Sequence, residues 1–393
     1  MSEESIGPRI LTVIPARYAS TRFPGKIIAP LGGKPLVAHT YARAMKAKLV
    51  GEALVAADDM KVRDALAPLG IPVVMTSPDH PSGTDRIAEV AAGRSVKVLL
   101  TPRFVSTPEV SFAAREKKTA GAVMITASHN PYAYNGIKFK GNFGGPGTPD
   151  MIAEIEKQLQ EVFQAEGEIK QVPLEEGLKK KSITLFDPQP SYLRAVEKLV
   201  DLSAIRRSKP KVVIDAMHGA AIGRVEAILR KIGVRPVVIR HEFNPSFGGV
   251  RPEPTADNLE PLSKAVRKHG AQVGLATDGD GDRIGVVDAR GRWVTTQEAI
   301  ALLLTHLVKN RGMTGEVAKA ISTTEMLDAL CEQYELFLHT TPVGFKSICE
   351  LMLTRDILLG GEESGGYGIK GHIPERDGIL CSLLFLEMLA ITR

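Results

Sequence analysis

The sequence predicts a multi-domain α/β protein, and three observations carry that prediction. Short apolar runs alternate with segments of helical spacing through most of the chain, the order that builds parallel sheets covered by helices. At 393 residues the chain exceeds what one hydrophobic core of about 250–300 residues can serve. Its most polar motifs directly follow apolar runs, at the strand ends where α/β sheets bind ligands.

From the N-terminus, residues 10–15 read as a buried strand, 35–46 as a helix, 53–57 as a second strand and 62–67 as a helix ending at Pro68. Residues 73–76 are a third strand and 84–92 a further helix. Residues 96–101 form another strand, and a charged helix around 112–118 leads to a strand at 121–125. The stretch GNFGGPGTPD at 141–150 is a Gly/Pro loop, 151–166 an amphipathic helix and 179–181 a solvated basic run. The pattern restarts at Tyr192, with strands at 211–215, 236–239 and 273–276 and helices at 224–232 and 259–269. Residues 284–294 read as a hairpin turning at 288–291. The apolar stretches 299–308 and 379–391 are interrupted by His306 and Glu387. They are short for a membrane span of about 20 residues and are expected to be core helices.

Composition narrows the function. Apolar residues make up 44% and charged residues 24%, which excludes a disordered, collagen-like or disulfide-scaffold chain. Fifty basic and 45 acidic residues leave a charge of +5, which suits small anionic ligands and makes no case for nucleic acid. Seven Tyr, twelve Phe and the single Trp293 are too few for base-stacking surfaces. Cys331, Cys349 and Cys381 form no CxxC pair, so buried thiols in a reducing cytoplasm are expected rather than structural zinc. The opening MSEESIGPRI has no basic and apolar signal pattern, so a cytoplasmic protein without a membrane partner is expected.

Three motifs carry chemistry. Asp278-Gly-Asp280-Gly-Asp282-Arg283 sets carboxylates at i, i+2 and i+4 after an apolar strand. Alternate side chains of an extended loop fall on one side, and three carboxylates so close repel unless a hard cation such as Mg²⁺ or Ca²⁺ sits among them. An EF-hand does not fit, because its glycine position holds Arg283 and its final glutamate position holds Ala289. The second motif, Thr126-Ala-Ser128-His129-Asn130-Pro131, continues through Asn135-Gly136 to Lys138. A serine at a strand end is a candidate nucleophile or phosphate carrier, with His129 and Lys138 able to move a proton or offset phosphate charge; a simple Asx turn remains an alternative. No Gly-x-Ser-x-Gly elbow is present, which disfavours an α/β-hydrolase. The third motif, GGEESGG at 360–366, places carboxylate and hydroxyl groups on a glycine-rich loop that suits a sugar, or is a polar loop without a ligand. TPVGFK at 341–346 offers Lys346 to an anion or to solvent.

Together, TASHNP at 126–131, NGIK at 135–138, FGGVRPEP at 247–254, TDGDGDR at 277–283, TPVGFK at 341–346 and GEESGG at 361–366 resemble the phosphohexomutase (phosphoglucomutase/phosphomannomutase) family in order and spacing, over residues 95–393. The resemblance implies three-layer α/β/α domains and interconversion of hexose 1- and 6-phosphates through a phosphoserine and one Mg²⁺ per chain. Ser128 would carry the phosphoryl group, and Asp278, Asp280 and Asp282 would hold the ion against it. A hexose 1,6-bisphosphate would be the intermediate and activator. His129, Lys138 and Arg283 match catalytic positions. Lys346, Glu362 and Ser364 match substrate contacts, and His372 and Arg376 in GHIPERDG are added to them.

The first ninety residues resemble a different family. VIPARYASTRFPGK at 13–26 and SPDHPSGTDR at 77–86 resemble the CMP-Kdo synthetases (3-deoxy-manno-octulosonate cytidylyltransferases). Arg17, Ser20, Arg22, Lys26 and Arg86 would cradle a nucleotide such as CTP in a Rossmann-like fragment. The expected division is 1–92 for that fragment, then mutase-like domains at 93–187, 188–294 and 295–393. The mutase pattern is expected to lack its opening strands and its final domain, and the cytidylyltransferase pattern its later metal segment. Mutase activity is therefore expected to be impaired. CTP-dependent sugar activation or nucleotide binding, and an inactive fusion, are the alternatives.

Overall fold

The structure, a computed structural model, describes residues 10–16, 18, 25–44, 50–75, 85, 88, 92–93, 95–155 and 172–392. The described chain forms two compact units, Met1–Leu100 with Pro149–Phe186, and Thr101–Thr148 with Asp187–Arg393.

The first unit contains the expected parallel sheet. Val50–Ala57 lies at its centre, paired in parallel with Ile10–Ala16 on one side and Val73–Met75 on the other. Helix Met60–Leu66 begins at Asp59, whose carboxylate accepts from Lys61 N at 2.8 Å, and a left-handed Gly70 closes the turn after it. Val55, Ala57, Val62 and Leu66 are fully buried and form the core of this layer. A separate two-stranded sheet pairs Val98–Leu100 in parallel with Ile183–Leu185. Residues 149–155 are helical, and the remainder of the helix expected to run to 166 lies outside the described residues.

The second unit holds two sheets and a hairpin. Val237–Ile239, Val212–Asp215 and Val273–Thr277 run parallel, and Ile284–Asp288 and Trp293–Val294 continue that sheet antiparallel as the expected hairpin. The other sheet has the order Leu338–Thr341, Glu316–Ala320, Ile357–Gly361, Tyr367–Ile369, with only its last pair antiparallel. Gly121–Ile125 pairs antiparallel with Ile137–Gly141. Lys138 therefore stands on a strand, not on a continuing loop. The helix expected around 112–118 runs instead over Thr107–Glu116. Ser106 and Glu109 close a capping box at its start, and Pro108 occupies its first turn.

Helix Gly378–Ile391 anchors this unit. Its residues from Gly378 to Glu387 are all buried, as expected of a helix that is apolar around its whole circumference. Leu380, Leu383, Leu384 and Phe385 join Val286, Leu304 and Leu359 in one continuous core. Burial of each such side chain stabilises the fold by about 1.5–3 kcal/mol. Glu387 is tolerated there because its carboxylate accepts from His306 Nε2 at 3.1 Å and Asp201 N at 2.6 Å, with Arg311 Nε at 3.4 Å. No described helix is long and apolar enough to cross a membrane.

Candidate active site

The acidic loop follows Val273–Thr277, a strand buried at every position, and returns through Ile284–Asp288. Its carboxylates are drawn inward: Asp278, Asp280 and Asp282 are 0%, 1% and 0% exposed. Each offers an oxygen, and these oxygens lie within 4.8 Å of one another. Asp278 Oδ2 and Asp282 Oδ1 are buried without a hydrogen-bond partner. Burial raises the Asp278 carboxyl well above the usual range, and Asp282 and Asp280 raise it further. Buried, orphaned oxygens among like charges are the donor set a hard divalent cation requires, so the residues fit Mg²⁺.

The Ser128 loop meets this one. Ser128 takes a left-handed backbone (φ 54°), costly for a residue with a Cβ and a mark of a constrained site. Its amide donates to Thr126 Oγ1 at 2.8 Å, which helps to fix the turn. Its Oγ lies 3.3 Å from Asp280 Oδ1 and 3.2 Å from Lys138 Nζ. The approach is close enough to require glycine opposite, since a Cβ on Gly279 would sit 2.4 Å from Ser128 O.

Three cations surround the carboxylates. Lys138 Nζ reaches Asp280 Oδ2 at 2.7 Å and Asp282 Oδ2 at 3.3 Å. Burial alone would lower its pKa, but Asp282 and Asp280 outweigh burial and raise it, so the ammonium stays charged. Arg376 forks between Asp282 Oδ2 at 2.6 Å and Glu362 Oε2 at 2.8 Å. Burial would raise the pKa of Asp282, but Arg376, Lys138 and Arg283 together hold it below its usual value. Arg283 donates its amide to Asp278 Oδ1 at 3.1 Å and its Nη1 to Glu253 Oε1 at 3.1 Å. His129 Nε2 lies 3.7 Å from that same Glu253 oxygen. Burial, with Arg283 nearby, lowers the His129 pKa to about 4 despite Glu253, so the ring is neutral near pH 7.

Ser128, His129, Lys138, Arg283, Arg376 and Glu362 thus join the three aspartates in one contiguous set. Ser364 is on the same loop as Glu362, its hydroxyl buried and without a partner. Lys346 is exposed in the first turn of helix Phe345–Thr354, beside Phe345, whose ring faces the Arg376 guanidinium at 5.6 Å. His372 is not brought into the cluster. Its Nε2 is 2.8 Å from Asp377 Oδ2, and its ring stacks on Phe112. Arg17, Ser20, Arg22 and Arg86 lie outside the described residues, as does the side chain of Lys26.

Several supporting residues carried no assignment from sequence. Glu253 belongs to the FGGVRPEP stretch and ties together Arg251, Arg283 and His129. Thr107 donates its hydroxyl to Asp280 Oδ2 at 2.7 Å from a helix start far away in sequence. Glu375 accepts from Lys140 Nζ at 2.5 Å and Ser111 Oγ at 2.9 Å, behind Arg376. Acid and base within ERDG and NGIKFK are visible in the sequence, but their pairing depends on tertiary structure.

Known families match the chain in four stretches. A cytidylyltransferase family matches residues 11–99. The phosphoglucomutase/phosphomannomutase alpha/beta/alpha domains I, II and III match 81–166, 190–291 and 295–393. A phosphoglucomutase/phosphomannomutase of Thermococcus kodakarensis is 30% identical over 285 residues, which are 72% of this chain and 60% of the relative. Phosphoglucomutase-1 of Homo sapiens is 30% identical, over 77% of this chain and 59% of its own. Among solved structures, a protein of phosphomannomutase type from Thermus thermophilus aligns with a TM-score of 0.71 at 37% identity, covering 78% of this chain and 68% of that one. The Paramecium phosphoglucomutase parafusin aligns with a TM-score of 0.62 at 26% identity, covering 73% and 56%. The chain spans about three-fifths of the length of the curated relatives it matches.

Proposed function

The chain belongs to the phosphoglucomutase/phosphomannomutase family, and from that premise we propose that it transfers a phosphoryl group between the 1- and 6-positions of a hexose phosphate through Ser128. The observation that carries this reading is the Ser128 hydroxyl at 3.3 Å from Asp280 and 3.2 Å from the Lys138 ammonium. Asp278, Asp280 and Asp282 would hold Mg²⁺, which when bound offsets charge on the phosphoryl oxygens.

The chain's own groups divide the remaining work. Lys138, held cationic, faces the Ser128 oxygen and neutralises a phosphate there. Arg283 supports the acidic loop and, through Glu253, holds His129 beside the serine. A neutral His129 is able to accept the proton of a sugar hydroxyl as that hydroxyl takes the phosphoryl group from Ser128. The product of this half-reaction is a hexose bisphosphate, which returns its other phosphoryl group to Ser128 after turning over. Glu362, Ser364, Lys346 and Arg376 are the groups proposed to read the sugar, with His372 behind them. In this reading the mutase-like parts are 93–187, 188–294 and 295–393, following an N-terminal segment 1–92.

The test is incubation of the chain with hexose 1,6-bisphosphate labelled in phosphorus and with Mg²⁺. Label should appear on Ser128 and be lost in Ser128→Ala. Unlabelled wild-type protein, or equal labelling of the variant, refutes the proposal. The cytidylyltransferase match over 11–99 supports a second reading, nucleotide binding by Arg17, Ser20, Arg22, Lys26 and Arg86. Calorimetric titration with CTP tests it, and absence of heat at millimolar nucleotide rejects it.

A further inference from the structure

A groove of about 340 Å³ opens beside helix Gln189–Glu197, away from the carboxylate cluster. Phe112, Leu199 and Gly371 form its apolar base, and Arg115, Arg194 and Lys198 bring three positive charges to it. Arg194 and Lys198 stand four residues apart at the C-terminal end of that helix, so both rise from the same face. Among the described residues no carboxylate pairs with either. Glu116 also lines the groove, its carboxylate accepting from Ser191 Oγ at 2.9 Å and lying 3.9 Å from Lys117 Nζ, so the three cations outnumber one acid there; Glu197 binds Lys231 at 2.7 Å. Arg115 is exposed and donates Nη1 to His372 O at 3.0 Å.

We propose that this groove is a second anion-binding site, for a small phosphate-bearing molecule of sugar-phosphate size. Two exposed cations and one anchored guanidinium supply the charge, and the apolar base supplies a face for a ring or carbon skeleton. Its occupancy reaches the carboxylate cluster by a short covalent and hydrogen-bonded route. Arg115 holds the carbonyl of His372, the His372 ring holds Asp377, and Arg376 lies between them in sequence with its guanidinium on Asp282 and Glu362. An anion that recruits Arg115 changes its hold on the 371–377 segment, so the site is a regulatory one. The inference does not depend on the mutase reading, because it concerns binding at a different place.

The test uses the full chain and inorganic phosphate as the probe. Binding is followed by calorimetry for wild type, the double variant Arg194→Glu/Lys198→Glu, and Lys138→Ala. Both substituted groove residues are exposed, so the double variant is expected to fold. The proposal expects phosphate affinity to fall at least tenfold in the double variant and to stay within about twofold in Lys138→Ala. Amide hydrogen exchange at 371–377 is expected to change when phosphate is added to wild type. Equal affinity in wild type and the double variant, loss of binding in Lys138→Ala alone, or no binding at 20 mM phosphate overturns the site. Binding that leaves exchange at 371–377 unchanged overturns its regulatory role.

Discussion

Lys138 and Asp280 form a 2.7 Å ion pair, and the same ammonium lies 3.2 Å from the Ser128 hydroxyl. One lysine thus stabilises the acidic loop and faces the candidate nucleophile. Its raised pKa sets the sign of the pH dependence. The stabilisation is complete below the ordinary lysine pKa of about 10.4 and is lost only as pH rises through the higher folded value. At neutral pH, Lys138→Met should therefore cost about 2–3 kcal/mol, somewhat less than the roughly 3–5 kcal/mol for breaking a fully buried pair, because the lysine is partly exposed. Urea unfolding in EDTA measures the loss, and a change below about 0.5 kcal/mol would contradict it.

Removing divalent metal should act on the carboxylates directly. At a hundred times its Kd, Mg²⁺ is expected to stabilise the native protein by about 2.7 kcal/mol. Asp278→Asn and Asp280→Asn should each abolish most of that gain. Scanning calorimetry with Mg²⁺ and then with EDTA reads the difference, and a gain that survives both substitutions would place the ion elsewhere.

Gly279→Ala probes the fit between the two loops. The new methyl would lie 2.4 Å from Ser128 O and 3.0 Å from Pro252 Cγ. Relief requires the serine loop to move, at a cost of about 1–3 kcal/mol in stability. Transfer is expected to fall about 100-fold or more, as for a displacement of about 1 Å in a reacting group. Near-native far-ultraviolet dichroism with lost phosphoryl transfer is the expected pair of results. Native activity would show that the loops do not need this contact.

The cysteines should be silent. Burial pushes the thiol of Cys331 up to about 11 and that of Cys349 up to about 12, and Cys381 well above its ordinary value. At pH 8 the thiolate of Cys349 is roughly one part in ten thousand. A chromogenic disulfide reagent should label none of the three in folded protein and all three in guanidinium. Rapid labelling of any one before unfolding would refute this.

Most of the site is readable in the sequence because its residues sit together there. Asp278, Asp280 and Asp282 are consecutive alternate residues after a continuous apolar run, and Ser128 follows the strand expected and found at Gly121–Ile125. The strand Ile183–Leu185 escapes sequence reasoning because its three residues are too few to show a period, and their ladder partner, Val98–Leu100, is far away in the chain. The helix start at Ser106 is marked by the S-x-x-E spacing to Glu109, yet the charged residues from 115 to 118 draw the expected helix forward. Arg376, like His372, has weaker sequence support than the other mutase-like positions, yet it contacts both Asp282 and Glu362. Its importance depends on a long-range pairing that periodicity does not encode. His372 looks equally polar in the sequence, but its partner is a neighbour five residues away.

Asp377 accepts from the amides of Ile379 and Leu380 at 2.9 and 2.8 Å and from the Tyr192 hydroxyl at 2.7 Å. The residue before it therefore hangs from the most deeply seated helix of its unit. Exchanging the segment 371–376 alone would transplant a lever without its fulcrum. A graft that keeps its aim has to carry the capping aspartate and the first turn of that helix along with the guanidinium.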